Sequence, residues 1–240
     1  MKVFHARALR ALGPIGLALA LAMSWGGADA AAAAPPAKAR HGAWQYVIQG
    51  DSAPLLRGWK HPGLPAGWTV HDGVLSKSGP VEDLESTRTY KDFELELQWK
   101  IGKASNSGIF YRATHQYDYI YWTGPEYQLL DDANAPDGKN RLTAAGAVYA
   151  MYPAPENVVH PYGRWNTTRI VVRGNHVEYW MNGRRIIDYD LGSADWKKRV
   201  AASKFSEYPG YGRAARGLIG IQGDHPGSIA IRDMRIRVLP

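Results

Sequence analysis

The sequence predicts an all-β sandwich, and three observations carry that reading. Phe93, Leu95, Leu97, Trp99 and Ile101 alternate strictly with Glu94, Glu96, Gln98 and Lys100, the period-two pattern of a strand with one buried face. Two hairpin signals, Gly174-Asn175 and Asn182-Gly183, sit between short apolar-alternating runs. Beyond the N-terminal region, no long segment sustains the 3.6-residue period of an amphipathic helix. Many short strands separated by Gly, Pro and Asn turns indicate a sandwich or jelly roll.

Taken in order, the chain opens on a targeting segment. Lys2, Arg7 and Arg10 precede an apolar run from Ala11 to Trp25, and Ala28-Asp-Ala30 has the small-x-small form of a cleavage site. Residues 1–30 are therefore expected to be a signal peptide, and residues 31–43 a flexible Ala/Pro-rich leader. The apolar run is short and broken by Gly and Pro for a membrane anchor, and no Cys follows it to carry a lipid. Export to the periplasm or beyond is expected. N-terminal sequencing of exported protein should begin near Ala31, and a sequence starting at Met1 would overturn the assignment. Residues 44–240 then form one domain, with no internal repeat and no second domain.

Within that domain, the run from Phe93 to Ile101 is one half-buried strand. A three-stranded meander follows from Trp165 to Tyr189, with Thr168, Ile170 and Val172 before the first turn and Val177, Tyr179 and Met181 after it. Asn182-Gly183 is the type I′ turn that closes it. Gly217 to Gln222 is a short glycine-containing strand. Ile229-Ile231 and Met234-Ile236-Val238 are out of phase, so a bulge is expected near Arg232-Asp233. Three loops interrupt the rhythm: residues 113–125 with His115 and several Tyr, residues 132–146, and residues 194–216 with Trp196, Phe205, Tyr208 and Tyr211. Loops over a sheet face are where specificity is usually built.

Composition narrows the function. There is no cysteine, which removes disulfides and thiolate metal sites. The net charge of +7 falls to +5 without residues 1–30, which hold Lys2, Arg7, Arg10 and Asp29. The remaining basic residues are scattered, and the densest set, Arg232 to Arg237, alternates with apolar residues as one wet strand face. This is a solubility pattern rather than a nucleic-acid footprint. Nine Trp and fourteen Tyr are strand formers first, and also stacking surfaces for sugar rings.

The stretch Asn106-Ser-Gly-Ile-Phe-Tyr-Arg112, followed by Glu126-Tyr-Gln-Leu-Leu-Asp131, carries polar groups where strands would carry core. Asn106, Gly108, Phe110 and Arg112 share one face, and Glu126 shares one with Gln128. Asp131 is out of phase by one residue, and a bulge in Leu129-Leu130 would bring it round. One pocket lined by Arg112, Glu126, Gln128 and Asp131 is expected, with His225 at its rim as acid/base group or metal ligand. His115 and His160 are read as structural.

These motifs, with Trp68-Thr-Val-His-Asp-Gly-Val-Leu75, Tyr90-Lys-Asp-Phe-Glu-Leu95, Gly146-Ala-Val-Tyr149, Trp165-Asn166, Asn182-Gly183 and Gly217-Leu-Ile-Gly-Ile-Gln222, resemble the bacterial 3-keto-disaccharide hydrolase family from about Trp44 to the C-terminus. The resemblance implies a concanavalin A-like jelly roll of two antiparallel sheets. It also implies a sugar substrate already oxidised at C3, cleaved by abstraction of the C2 proton, elimination at C1 and hydration. Glu126, Asp131 and His225 are then the candidate catalytic residues. Asn106, Arg112, Gln128, Tyr149 and Gln222 are the candidate substrate holders. A divalent cation on Glu126, Asp131 and His225 is a candidate cofactor. Glu-x-Gln-x-x-Asp is also similar to the Glu-x-Asp-x-x-Glu strand of laminarinase-type glucanases, with an amide replacing the middle acid. A non-catalytic lectin-like module and a plain β-glucan hydrolase therefore stand as alternatives. No phosphate loop, serine-hydrolase elbow or zinc-protease motif is present.

Overall fold

The computed structural model describes residues 42–240, so the expected signal peptide and all but the last residues of the expected leader lie outside the described residues. Thirteen strands follow in chain order: β1 Gln45–Tyr46, β2 Leu56–Gly58, β3 Trp68–His71, β4 Val74–Ser78, β5 Leu84–Ser86, β6 Phe93–Ile101, β7 Asn106–Ala113, β8 Glu126–Leu130, β9 Asn166–Arg173, β10 His176–Met181, β11 Arg184–Asp190, β12 Leu218–Ile221 and β13 Ser228–Val238. They make two antiparallel sheets. The larger runs β11-β10-β9-β6-β13-β4-β3 with β1 on β13, and the smaller runs β2-β5-β12-β7-β8. The fold is a two-sheet jelly-roll sandwich: the short alternating strands predict a sandwich or jelly roll, and the family resemblance implies the two-sheet form.

The register is the predicted one. Phe93, Leu95, Leu97 and Trp99 are buried between the sheets, and Trp99 Nε1 donates to Thr168 Oγ1 at 2.9 Å. Their partners on β9, Thr168, Ile170 and Val172, and on β10, Val177, Tyr179 and Met181, are buried with them. Asn182 and Gly183 both take positive φ, 49° and 80°, as a type I′ turn requires. The expected bulge in β13 is present as a register shift between Arg232 and Arg235, with Asp233 at φ 52°.

Glu94 is also buried, but on the outer face of the large sheet. It is covered by its ion partners, Arg237 at 2.8 Å and Arg169 at 3.3 Å, and Glu96 pairs with Arg235 at 2.6 Å. Several of the scattered arginines thus belong to cross-strand pairs on a wet sheet face.

One element departs from the sequence reading. Residues Ala194–Ala201 form a short helix, α1, capped by Ser193 Oγ, which accepts from Trp196 N. It is too short for its period to stand out in the sequence. It is fixed by a ring stack that runs from Tyr189 through Trp196 and Tyr211 to Phe205, with centroid spacings of 5.5, 5.6 and 3.9 Å. This packing clamps the 194–216 segment onto the end of the sandwich, and a 3-10 turn, Lys204–Glu207, follows within it.

Candidate active site

The pocket grows from the pairing of three strands in the smaller sheet. Phe110 pairs with Glu126 and Gly108 with Gln128, while Gln222 N donates to Gly108 O at 2.9 Å. The residues that alternate with these, Ile109, Tyr127, Leu129 and Ile221, are buried in the core. Glu126, Asn106 and Gln222 therefore face outward on adjacent strands. Gly108 is where that face needs a glycine: a Cβ there would lie 2.2 Å from Glu126 Oε1. The carboxylate folds across the space that Gly108 leaves.

Loops build the walls. Glu126, Asn106 and Gln222 line a cavity of about 260 Å³ with Tyr149, Tyr121, Lys204, Tyr208, Asp224 and His225. Tyr149 N donates to Glu126 O at 3.1 Å, which extends the sheet edge into the loop. Lys204 Nζ lies 4.5 Å from the Tyr149 ring centroid and 5.7 Å from that of Tyr121. His225 is held at three points. Its Nδ1 lies 2.7 Å from Asp224 Oδ1, its carbonyl accepts from Lys77 Nζ at 2.6 Å, and its turn is fixed by Asp83 Oδ1 accepting from Gly223 N at 2.6 Å.

The electrostatics follow from burial. Glu126 is 6 % exposed. Burial pushes its carboxyl up to about 8, against the nearby positive charges of Lys204 and His225, which pull it down. The hydrogen bond to Asp224 raises His225, with burial opposing. Burial likewise raises Asp83 to about 6 and Tyr149 to about 12. Asn106 Oδ1 and Gln222 Oε1 are buried without partners among the described residues. An unsatisfied buried acceptor costs roughly 1–3 kcal/mol, so these two amides stand ready for hydroxyl donors. A partly closed cavity with a raised carboxyl, an ammonium, a paired imidazole and free amides is equipped for proton transfer on a polyhydroxylated ligand.

Of the eight residues picked from the sequence, Asn106, Glu126, Tyr149, Gln222 and His225 meet in this pocket. Three do not. β7 and β8 pair without a register shift, so the bulge expected in Leu129-Leu130 is absent and Asp131 keeps the opposite phase from Glu126. Its Oδ2 instead accepts from Ala104 N and Asn134 Nδ2, both at 2.8 Å, as a turn residue. Gln128 is fully buried beside the pocket, its Nε2 donating to Thr143 O at 3.0 Å. Arg112 has φ 52° where the β12–β7 register shifts. That breaks the alternation and sends its guanidinium to Gly174 O, away from Glu126. The ligand set of Glu126, Asp131 and His225 is accordingly not assembled. Among the described residues, the three donors with ligand atoms mutually within 4.8 Å are Asp51, His71 and Asp72, all exposed and outside the pocket lining.

Lys204 and Asp224 are not among the sequence candidates, and Tyr121 and Tyr208 are marked only as part of aromatic loops, because loops have no period to read. The expected reaction needs a cation for the enolate, but residues 194–216 offer six, Lys197, Lys198, Arg199, Lys204, Arg213 and Arg216, and nothing local singles out Lys204.

The chain is similar to known carbohydrate-active proteins. Residues 43–237 match the model of the 3-keto-alpha-glucoside-1,2-lyase-like domain. The chain is 33% identical over 225 residues to a 3-keto-disaccharide hydrolase of Bacteroides thetaiotaomicron, covering 80% of this chain and 77% of the relative. A candidate glycosyl hydrolase of Parabacteroides distasonis, solved by crystallography, superposes with a TM-score of 0.77 at 31% identity, covering 82% of this chain and 94% of that one. A non-specific endo-β-1,3(4)-glucanase of glycoside hydrolase family 16 shares the fold at a TM-score of 0.51 and 12% identity, over 86% of this chain and 94% of its own.

Proposed function

Since the chain belongs to the 3-keto-alpha-glucoside-1,2-lyase-like domain family, we propose that this carbohydrate hydrolase cleaves 3-keto-glycosides by elimination followed by hydration. The observation that carries the reading is Glu126, a buried carboxylate with a raised pKa, lodged over Gly108 within the field of Lys204 and His225.

A C3 ketone acidifies the C2 hydrogen. Glu126 takes that proton, and the electron pair moves into the enolate, whose oxygen Lys204 stabilises. The enolate re-forms the ketone, C1=C2 forms, and the C1–O bond breaks. His225, held by Asp224, gives the departing oxygen its proton. Water then adds across C1=C2, hydroxyl to C1 and proton to C2, so that the balance is hydrolysis. Asn106 and Gln222 hold sugar hydroxyls, and Tyr121, Tyr149 and Tyr208 enclose the ring. The lyase name of the family and the hydrolase name of the relative correspond to stopping after elimination and to completing hydration. A two-carboxylate glycosidase needs a second acid roughly 5–9.5 Å from the first; Asp131 is committed to its turn, and Asp224, the other acid of the pocket lining, is paired with His225 Nδ1. On the expected export of the chain, the chemistry takes place outside the cytoplasm.

The test is incubation with a 3-keto-glucoside in deuterated water. Deuterium at C2 of product or recovered substrate is expected, with the unoxidised glucoside inert. Cleavage of the unoxidised glucoside at a similar rate would overturn the mechanism, because its C2 hydrogen is not acidic.

The pH profile assigns Glu126 its role. As base it must be ionised, so kcat/KM should rise with pH through about 8, the value burial gives its carboxyl. His225, as acid, must be protonated and sets the falling limb; a Glu126→Gln variant that lost the falling limb and kept the rising one would make Glu126 the acid.

A further inference from the structure

A second cavity, larger than the first at about 630 Å³, opens where α1 and the 204–215 segment meet the end of the sandwich. It shares Tyr208 with the pocket around Glu126. Three of its lining residues are cations, Arg112, Lys197 and Arg213, and none is an acid.

Arg112 is the unusual member. It is 2 % exposed and stands in left-handed backbone, φ 52°, a conformation that costs a non-glycine residue and persists where its surroundings impose it. One Nη donates to Gly174 O, while Nε is buried without a partner. The acid that acts on it is Asp92. The Asp92 carboxylate, however, is engaged by Gly174 N at 2.6 Å and Lys91 Nζ at 3.6 Å. A buried guanidinium bonded to a single carbonyl is an expensive arrangement unless an anion completes it. Leu191, Trp196, Phe205 and Tyr211 in the same lining supply an apolar wall.

We propose that this cavity binds an organic anion, a carboxylate on a ring-sized apolar body. The carboxylate meets the Arg112 guanidinium, and the body lies against the apolar wall. The guanidinium fork suits a planar carboxylate, and the cavity volume suits a small organic ligand.

Benzoate is the probe, titrated calorimetrically into the full chain at low salt, with benzamide as its neutral isostere. One saturable site with Kd of about 1 mM or tighter is expected for a ligand of this size. Benzamide and inorganic phosphate should each bind at least about tenfold more weakly, the first lacking the charge and the second the apolar body. Arg112→Gln should lose at least about tenfold. If Arg112→Gln does not fold, Lys197→Glu with Arg213→Glu decides, because reversing two exposed rim charges should weaken benzoate at least about fivefold. Absence of saturable benzoate binding would overturn the proposal. So would equal affinity for benzamide or phosphate, or unchanged affinity in a folded Arg112→Gln or in the rim double variant.

Discussion

Glu126→Gln should lower turnover of a 3-keto-glucoside by about two to four orders of magnitude, the contribution of a positioned general base. The substitution keeps shape and volume over Gly108, where a Cβ would already approach Glu126 Oε1 to 2.2 Å, so packing is preserved and the proton acceptor is lost. Substrate binding through Asn106, Gln222 and the tyrosines should largely survive, leaving KM little changed while kcat falls. Because a buried carboxyl is costly to ionise, the amide should fold at least as well as wild type at high pH, where the acid must carry charge. The rise of the wild-type rate through about pH 8 should vanish from the residual activity. Full activity in a folded Glu126→Gln would exclude this residue as the base and leave His225 as the remaining candidate.

How much of this was legible beforehand depended on whether a residue sat in regular alternation. The core face of β6 and the partner faces of β9 and β10 were readable because two-residue periodicity is enforced by burial: a slip of one residue would expose every apolar side chain. Glu126 and Asn106 were readable for the same reason, each being polar at an outward position of a strand whose other face is core, whereas Gln222 entered only through the family motif that ends on it. Arg112 and Asp131 failed where the backbone left the pattern. A left-handed residue at a register shift redirected Arg112, and no feature of the residues around it announces that shift. Asp131 was given a bulge to bring it into the pocket, whereas β8 simply ends at Leu130 and the carboxylate closes a turn. Lys204 was invisible for a third reason. Its position depends on the stack of Trp196, Tyr211 and Phe205 that pins its loop, a tertiary event with no local signature.

Lys204→Met should lower turnover by about two to three orders of magnitude, the range for removing one preorganised group aimed at developing negative charge. Methionine retains an unbranched apolar stem against the Tyr149 and Phe205 rings, which lie 4.5 and 5.4 Å from Nζ, so the loop should stay in place. Two effects are separable. Lys204 pulls the Glu126 carboxyl down, so its removal should shift the rising limb of the pH profile to higher pH. Loss of enolate stabilisation should remain at the maximum of the profile, between the Glu126 and His225 limbs. Lys204→Arg, which restores the charge, should recover part of the rate at that maximum. If the activity of Lys204→Met returned fully at high pH, Lys204 would act only by tuning Glu126 and the enolate would need another cation. If turnover and pH profile were both unchanged, Lys204 would have no part in the reaction, and its place in the pocket would be that of a wall residue packed on Tyr149.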